Sequence, residues 1–281
     1  MKKQLVKSNY KKMKISLLVL SIAGSLIFYG CKKDFFSEIK VENEGGGNES
    51  PVVISAPNGG LGWDYPVKPG MEYWRSLQTE EERIAALQVP DAILAALSPD
   101  EAVRLCITFP ASGHFVLYNT PQESFEVMLS RYNILRHFLS RKDVGSILLS
   151  AYKDADLSGF KTLTYSNEFW PIKLLYLELL LSQKEILQSL THEERFELLS
   201  EAGLKLTEKA SNKSFAGLPE VLFSLRIIAT ILDIEKYPEF MNIANRDIIT
   251  RFINTGWLFE DILPINEIID AANSYIKANY K

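Results

Sequence analysis

From Leu77 to the C-terminus, apolar residues recur at spacings of three and four, punctuated by Gly, Pro and short polar caps. That period predicts helices along nearly the whole segment. The clearest starts are capping boxes, in which a Ser or Thr hydroxyl and a Glu three residues later each satisfy a free backbone N–H: Thr79 with Glu82, Ser98 with Glu101, and Thr191 with Glu194. Further helices are expected over 121–139, 141–156, 168–189, 192–210, 218–235, 238–254 and 264–279, bounded by Pro121, Gly159, Pro171, Gly217, Pro238, Gly256 and Pro264. No segment alternates with a period of two. The expected fold class is therefore all-α, with about eight to ten helices.

Two of these helices are apolar on more than one face. In 221–234, Leu222, Leu225, Ala229 and Leu232 form one stripe and Phe223, Ile227 and Ile231 a second, leaving Arg226, Thr230 and Asp233 as a polar side. The run 174–181 reads the same way. Helices covered by neighbours on two sides suggest a layered, α-solenoid-like array. The segments 93–101 and 186–194 share the pattern Ile-Leu-x-x-Leu-(Ser/Thr)-x-(Asp/Glu)-Glu, so one helix-turn-helix unit occurs twice. Any two capped helical hairpins could look alike, and the 93-residue offset exceeds ordinary helical repeats.

The N-terminal third follows another pattern. Six lysines precede an apolar stretch over 15–29 that ends at Gly30 and Cys31. A basic start, a short apolar run and a small residue before cysteine match a lipoprotein secretion signal over 1–30, with Cys31 as the lipid-bearing residue of the mature chain. Phe28 stands where such sites usually carry Leu, Val or Ile. The stretch is short of the roughly twenty residues of a spanning helix, although an uncleaved anchor remains the alternative. Residues 31–60, rich in Glu, Asn, Gly, Ser and Pro, read as a flexible tether. Residues 61–281 form the expected helical domain, with a candidate division near 160–167.

Removing the signal changes the charge. The 31 basic residues fall to 25 against 35 acidic, moving the net from -4 to -10. A surface this acidic repels polyanions, which argues against nucleic acid as a partner. If Cys31 carries lipid, Cys106 has no partner for a disulfide, and its apolar helical setting is that of a small buried hydrophobe.

Between tether and helices, residues 61–74 place Trp63, Tyr65, Tyr73 and Trp74 among Pro and Gly, which excludes a regular helix. An extended strap buried against the first helices is favoured; the competing reading makes Trp63, Tyr65 and Trp74 an exposed platform for a sugar ring. The three histidines, His114, His137 and His192, lie far apart without metal-binding spacing, so no metal site or cofactor is expected. Cys106 with His114 is the minimum pair for nucleophilic catalysis, but no nucleophile signature surrounds it. Residues 154–159 copy the first half of a calcium loop, yet Tyr165 stands where the bidentate carboxylate belongs. The catalytic set is therefore empty.

The acidic and lysine residues just after Cys31 resemble the start of mature Bacteroidetes lipoproteins exported to the outer face of the outer membrane. Residues 71–160, with Trp74-Arg-Ser-Leu, Glu81-Glu-Arg-Ile-Ala-Ala-Leu-Gln-Val-Pro90 and Leu135-Arg-His-Phe-Leu-Ser-Arg-Lys-Asp143, are similar to an uncharacterised family of gut Bacteroidales surface lipoproteins. The resemblance implies a helical, lipid-anchored protein facing the cell exterior and assigns no catalytic residue. The expected role is a protein-interaction or scaffold module of the cell envelope, held to the membrane by its lipid and engaging an envelope protein. A glycan- or peptide-binding lipoprotein is the alternative.

Overall fold

The computed structural model describes residues 62–155, 170–211, 218–257 and 264–279, and among them every regular element is helical. In chain order these are α1 Glu72–Ser76, α2 Glu80–Ala86, α3 Asp91–Ala96, α4 Pro99–Ile107, a 3-10 helix Ser112–Val116, α5 Pro121–Arg131, α6 Asn133–Ser140 and α7 Gly145–Asp154. After residues 156–169 come α8 Trp170–Leu181, α9 Lys184–Ser189, α10 His192–Ser211, α11 Leu218–Ile234, α12 Pro238–Met241, α13 Arg246–Thr255 and α14 Ile265–Asn279. None of the described helices is long and apolar enough to cross a membrane. Cys31 lies outside the described residues, as do the signal and tether. The partial calcium loop does too, apart from Asp154 and Ala155.

The three capping boxes form. Thr79 Oγ1 accepts from Glu82 N, Ser98 Oγ from Glu101 N and Thr191 Oγ1 from Glu194 N, and each glutamate accepts from its cap residue in return. Both halves of the recurring hairpin take the same course: a short helix, a leucine in extended conformation (Leu97, Leu190), a capping hydroxyl and a longer helix.

Three expected helices are broken in two. The 121–139 segment bends out at Tyr132 (φ -114, ψ 122), where Gln88 takes over the freed backbone groups. Its amide donates to Arg131 O at 3.0 Å and accepts from Asn133 N at 3.2 Å, while Asn133 pairs both ways with the Val89 backbone. Arg136 Nη1 donates to the Leu129 and Ser130 carbonyls, both at 2.8 Å. At the second break Ser182 and Gln183 donate side-chain hydrogen bonds to Leu179 O. The third precedes α13, where Asn245 takes a left-handed conformation (φ 60), one that asparagine tolerates better than most residues. The helix expected over 141–156 begins only at Gly145. A Cβ there would stand 2.5 Å from Ser189 Oγ, so the glycine lets α7 start against α9.

One core runs from Trp63 to Ile276 and draws on residues either side of 156–169. Its centre is α11, buried continuously from Val221 to Leu232. On the polar side of that helix Arg226 and Thr230 are buried with the rest, and Asp233 is half-buried. Contacts radiate from α11 to α8, α9, α10, α12, α13 and α14, most extensively to α10, and α5 reaches α13 from the other end of the sequence. Arg226 serves that junction, donating from Nε to Ile253 O (2.9 Å) at the end of α13 and from Nη2 to Gln122 Oε1 (2.7 Å) on α5. Gly256 beside it has φ +71, and a Cβ there would lie 3.1 Å from Arg226 Nη1.

The second enclosed helix, α8, is buried from Leu174 to Leu181 and carries a glutamate in that run. Glu178 and Lys209 have no exposed side-chain surface and meet at 2.5 Å. Glu178 Oε1 accepts from Tyr152 Oη (2.7 Å) and Ser224 Oγ (2.6 Å), while Lys209 Nζ also donates to Ser224 Oγ and Glu220 O. Burial lowers the Lys209 pKa against the opposing pull of Glu178.

Removing one member of such a pair strands the other charge in the core. Lys209→Met is expected to lower unfolding free energy by about 3–5 kcal/mol in urea titration. Adding Glu178→Gln removes the stranded charge yet keeps an acceptor for Tyr152 and Ser224, so the double variant should recover a large part of the loss. A double variant less stable than Lys209→Met alone would show that the pair is not coupled in this way.

Candidate functional site

The segment between α4 and α5 begins in Phe109 and Pro110, which stop α4, and tightens into the 3-10 helix through i to i+3 hydrogen bonds: Ser112 N to Phe109 O, His114 N to Ala111 O and Leu117 N to His114 O, each 3.0 Å. Phe115 is its anchor. The ring is buried, stacked on Tyr176 of α8 (6.2 Å, 24°) and edge-on to Phe223 of α11 (5.6 Å, 77°). On the far side Tyr118 N donates to the buried Ser124 Oγ (3.2 Å), and Thr120 caps α5 through Glu123 N.

The three residues between these anchors face outward. Val116, Leu117 and Tyr118 are 49%, 52% and 38% exposed. Among the described residues the other exposed large hydrophobics are Met71, Tyr73 and Met241, so half of this set is consecutive. Single exposed apolar residues are ordinary; three in a row, with the backbone pinned at both ends, form a small apolar patch. His114 sits beneath it, near Arg131 and Glu80, which form an ion pair. Burial and the Arg131 charge lower its pKa, which favours the neutral imidazole.

The strap residues lie elsewhere. Trp63 and Tyr65 are buried, and an edge-to-face file runs Trp63, Tyr65, Phe109, Tyr132 with centroids 5.1, 5.8 and 4.7 Å apart. α4 holds the strap down: Arg104 Nη2 donates to Trp63 O (2.5 Å) and Tyr65 Oη to Leu105 O (3.2 Å). Trp74 is half-buried, with the Arg83 guanidinium 6.0 Å from its ring centre. A buried ring has no face to offer a sugar.

Cys106 is fully buried with Tyr176 Oη at 4.0 Å, and burial pushes its thiol up to about 12, far from the thiolate needed for attack. Its hydrogen-bonding neighbour is thus on α8, not His114. The His137 ring lies on α6 with Nε2 buried and unpartnered, and burial lowers its pKa. No described group of three or more His, Cys, Asp and Glu side chains is placed to hold a metal ion.

No family model, curated protein or solved structure matches this chain.

One polar cluster was not apparent from sequence, where His192 looks like a solvated first-turn residue. At the start of α10, His192 Nδ1 lies 2.9 Å from Glu235 Oε2, and Arg195 Nε donates to Glu235 Oε1 at 2.5 Å. Arg195 Nη1 also donates to Leu190 O and Leu187 O at the end of α9. The Tyr275 ring of α14 packs edge-on to His192, with its hydroxyl raised to about 12 by burial and by Glu235. The cluster ties four helix ends together. Its only sequence signal is the Thr191 cap that places His192 and Arg195 on the first turn.

Burial pushes the Glu235 carboxyl up, but hydrogen bonds from Arg195 and His192 outweigh it and hold the pKa below its ordinary 4.5. The folded state therefore favours the carboxylate. The resulting stability is fully present above 4.5 and is lost as pH falls through the lower folded value. Glu235→Gln should destabilise the protein at neutral pH, with the gap to wild type narrowing below 4.5 in urea titrations at stepped pH. A gap that stays constant or widens in acid contradicts this linkage.

Proposed function

We propose that this protein is a cell-envelope lipoprotein, anchored through Cys31 to the outer membrane and facing the exterior, whose helical domain acts as a protein-interaction or scaffold module. The observation that carries the reading is the fixed exposure of Val116, Leu117 and Tyr118. Exposed apolar side chains lose unfavourable hydration when a partner covers them, and a backbone already held in place loses less conformational freedom on doing so. The signal-like start, the residues after Cys31 and the similarity to Bacteroidales surface lipoproteins support the address. The 31–60 segment supplies reach. Binding of a glycan through Trp63, Tyr65 and Trp74 has less support, because two of the three rings are in the core.

The test is affinity purification of the intact protein from its own outer membrane, beside Cys31→Ser and Val116→Asp/Leu117→Asp versions. A stoichiometric protein partner is expected with wild type. It should be depleted at least about tenfold by the double aspartate variant, as expected when charge enters an apolar contact, and should diminish when the anchor is removed. Absence of any stoichiometric protein, or retention of it by the double aspartate variant, would falsify this reading.

A further inference from the structure

The start of the strap has one seat. Gly62 N donates to Glu101 Oε1 (3.4 Å), Arg104 Nη2 to Trp63 O (2.5 Å) and Tyr65 Oη to Leu105 O (3.2 Å), and the Tyr65 ring meets Phe109 edge-on. These partners all lie on α4 or just past its end. Beyond Tyr65 the hold weakens. From Pro66 to Ser76 no residue is buried: Met71 and Tyr73 are 47% and 60% exposed, and Val67 and Trp74 are half-buried at most. Leu77 is the next buried residue.

The internal structure of the segment favours movement as one piece. Gly62 and Gly70 bound it at φ +58 and +95, conformations that glycine adopts freely, and hinges form where a few backbone angles absorb the change. Between them Pro66 and Pro69 fix their own φ, Lys68 Nζ pairs with Asp64 at 2.6 Å, and Asp64 accepts from Tyr65 N at 2.8 Å. Those two contacts lie within the segment and survive its departure from α4. The helices in turn keep their own packing, since Phe109 retains Tyr132 against its ring.

We infer that residues 62–70 are a clasp, which load on the preceding chain opens as a unit while the helical domain stays folded. This inference rests on the anchoring reading above, in which a pull between membrane and domain enters at Gly62. Such a pull meets Trp63 before Tyr65, so the two buried rings carry it in turn rather than together. An opening that exposes few buried groups requires less free energy than global unfolding. The clasp then gives added reach, out to Leu77, without loss of the domain.

The experiment holds the intact chain in optical tweezers by handles on the Cys31 thiol and the C-terminus; Cys106 is buried and does not compete for the coupling. A reversible first step is expected at low force, of at most about 50 Å for residues 62–76 at about 3.3–3.6 Å each. A separate and much longer step follows when the helices unfold. Tyr65→Phe keeps the ring and loses the bond to Leu105 O, so it should lower the force of the first step and leave the second unchanged. Trp63→Ala/Tyr65→Ala should abolish the first step while the second persists. A single step in the wild type, a first step indifferent to both variants, or loss of the second step together with the rings overturns the clasp. None of these outcomes touches the interaction reading, which stands or falls on the purification from the outer membrane.

Discussion

Glu178 sits in a buried run, Leu174 to Leu181, that is otherwise leucine and tyrosine, and its carboxylate reaches no water. An isolated charge there would cost several kcal/mol, and burying its ammonium partner costs as much again. The arrangement is tolerable because every oxygen is used: Lys209 on one, the Tyr152 and Ser224 hydroxyls on the other. Those groups come from four helices, α7, α8, α10 and α11, and satisfy the carboxylate only in one relative placement. Well-packed apolar residues of similar volume often match the stability of such a pair. What the charge adds is a penalty on every alternative packing of α8, whose buried run from Leu174 to Leu181 is otherwise apolar.

The same constraint governs the helix ends. The fourteen short to medium α-helices among the described residues leave many C-terminal carbonyls without an intrahelical donor. Long cations from elsewhere in the chain take them: Arg141 on Leu97 O, Arg136 on Leu129 O and Ser130 O, Lys205 on Ala155 O, Arg195 on Leu187 O and Leu190 O, and Arg226 on Ile253 O. A cation at a helix C-terminus also meets the negative end of the helix dipole. Of these cations Lys205 and Arg226 are buried in the role, so they add little positive charge to the surface.

This division of labour explains what could be read in the sequence. The capping boxes at Thr79, Ser98 and Thr191 depend on residues three apart, and local spacing exposes them. The break at Tyr132 depends on Gln88 and Val89, more than forty positions away, and nothing near Tyr132 marks it. The double-faced apolar pattern of 221–234 revealed a covered helix but not that Arg226 and Thr230 are buried with it: the arginine's partners, Gln122 and Ile253 O, belong to distant helices, while Thr230 turns back on Arg226 O. Glu178 was the one polar letter in a leucine run, a signal legible in principle as a buried charge. Val116, Leu117 and Tyr118 were illegible for the opposite reason: their composition is that of core residues, and only the anchoring of Phe115 on one side and Ser124 on the other turns them outward.

That anchoring bears on how the helical domain could bind at all. A mobile apolar loop would collapse onto its own domain or lose much of its contact energy to ordering. Here the backbone is held before any encounter, since Phe115 packs between α8 and α11 and the Tyr118 N–H is bonded to Ser124 on the first turn of α5. The two helices that hold Phe115 are those organised by the Glu178 and Lys209 pair. Loosening that buried pair therefore threatens the surface tip as well as the core, because the ring that fixes the tip has no other seat.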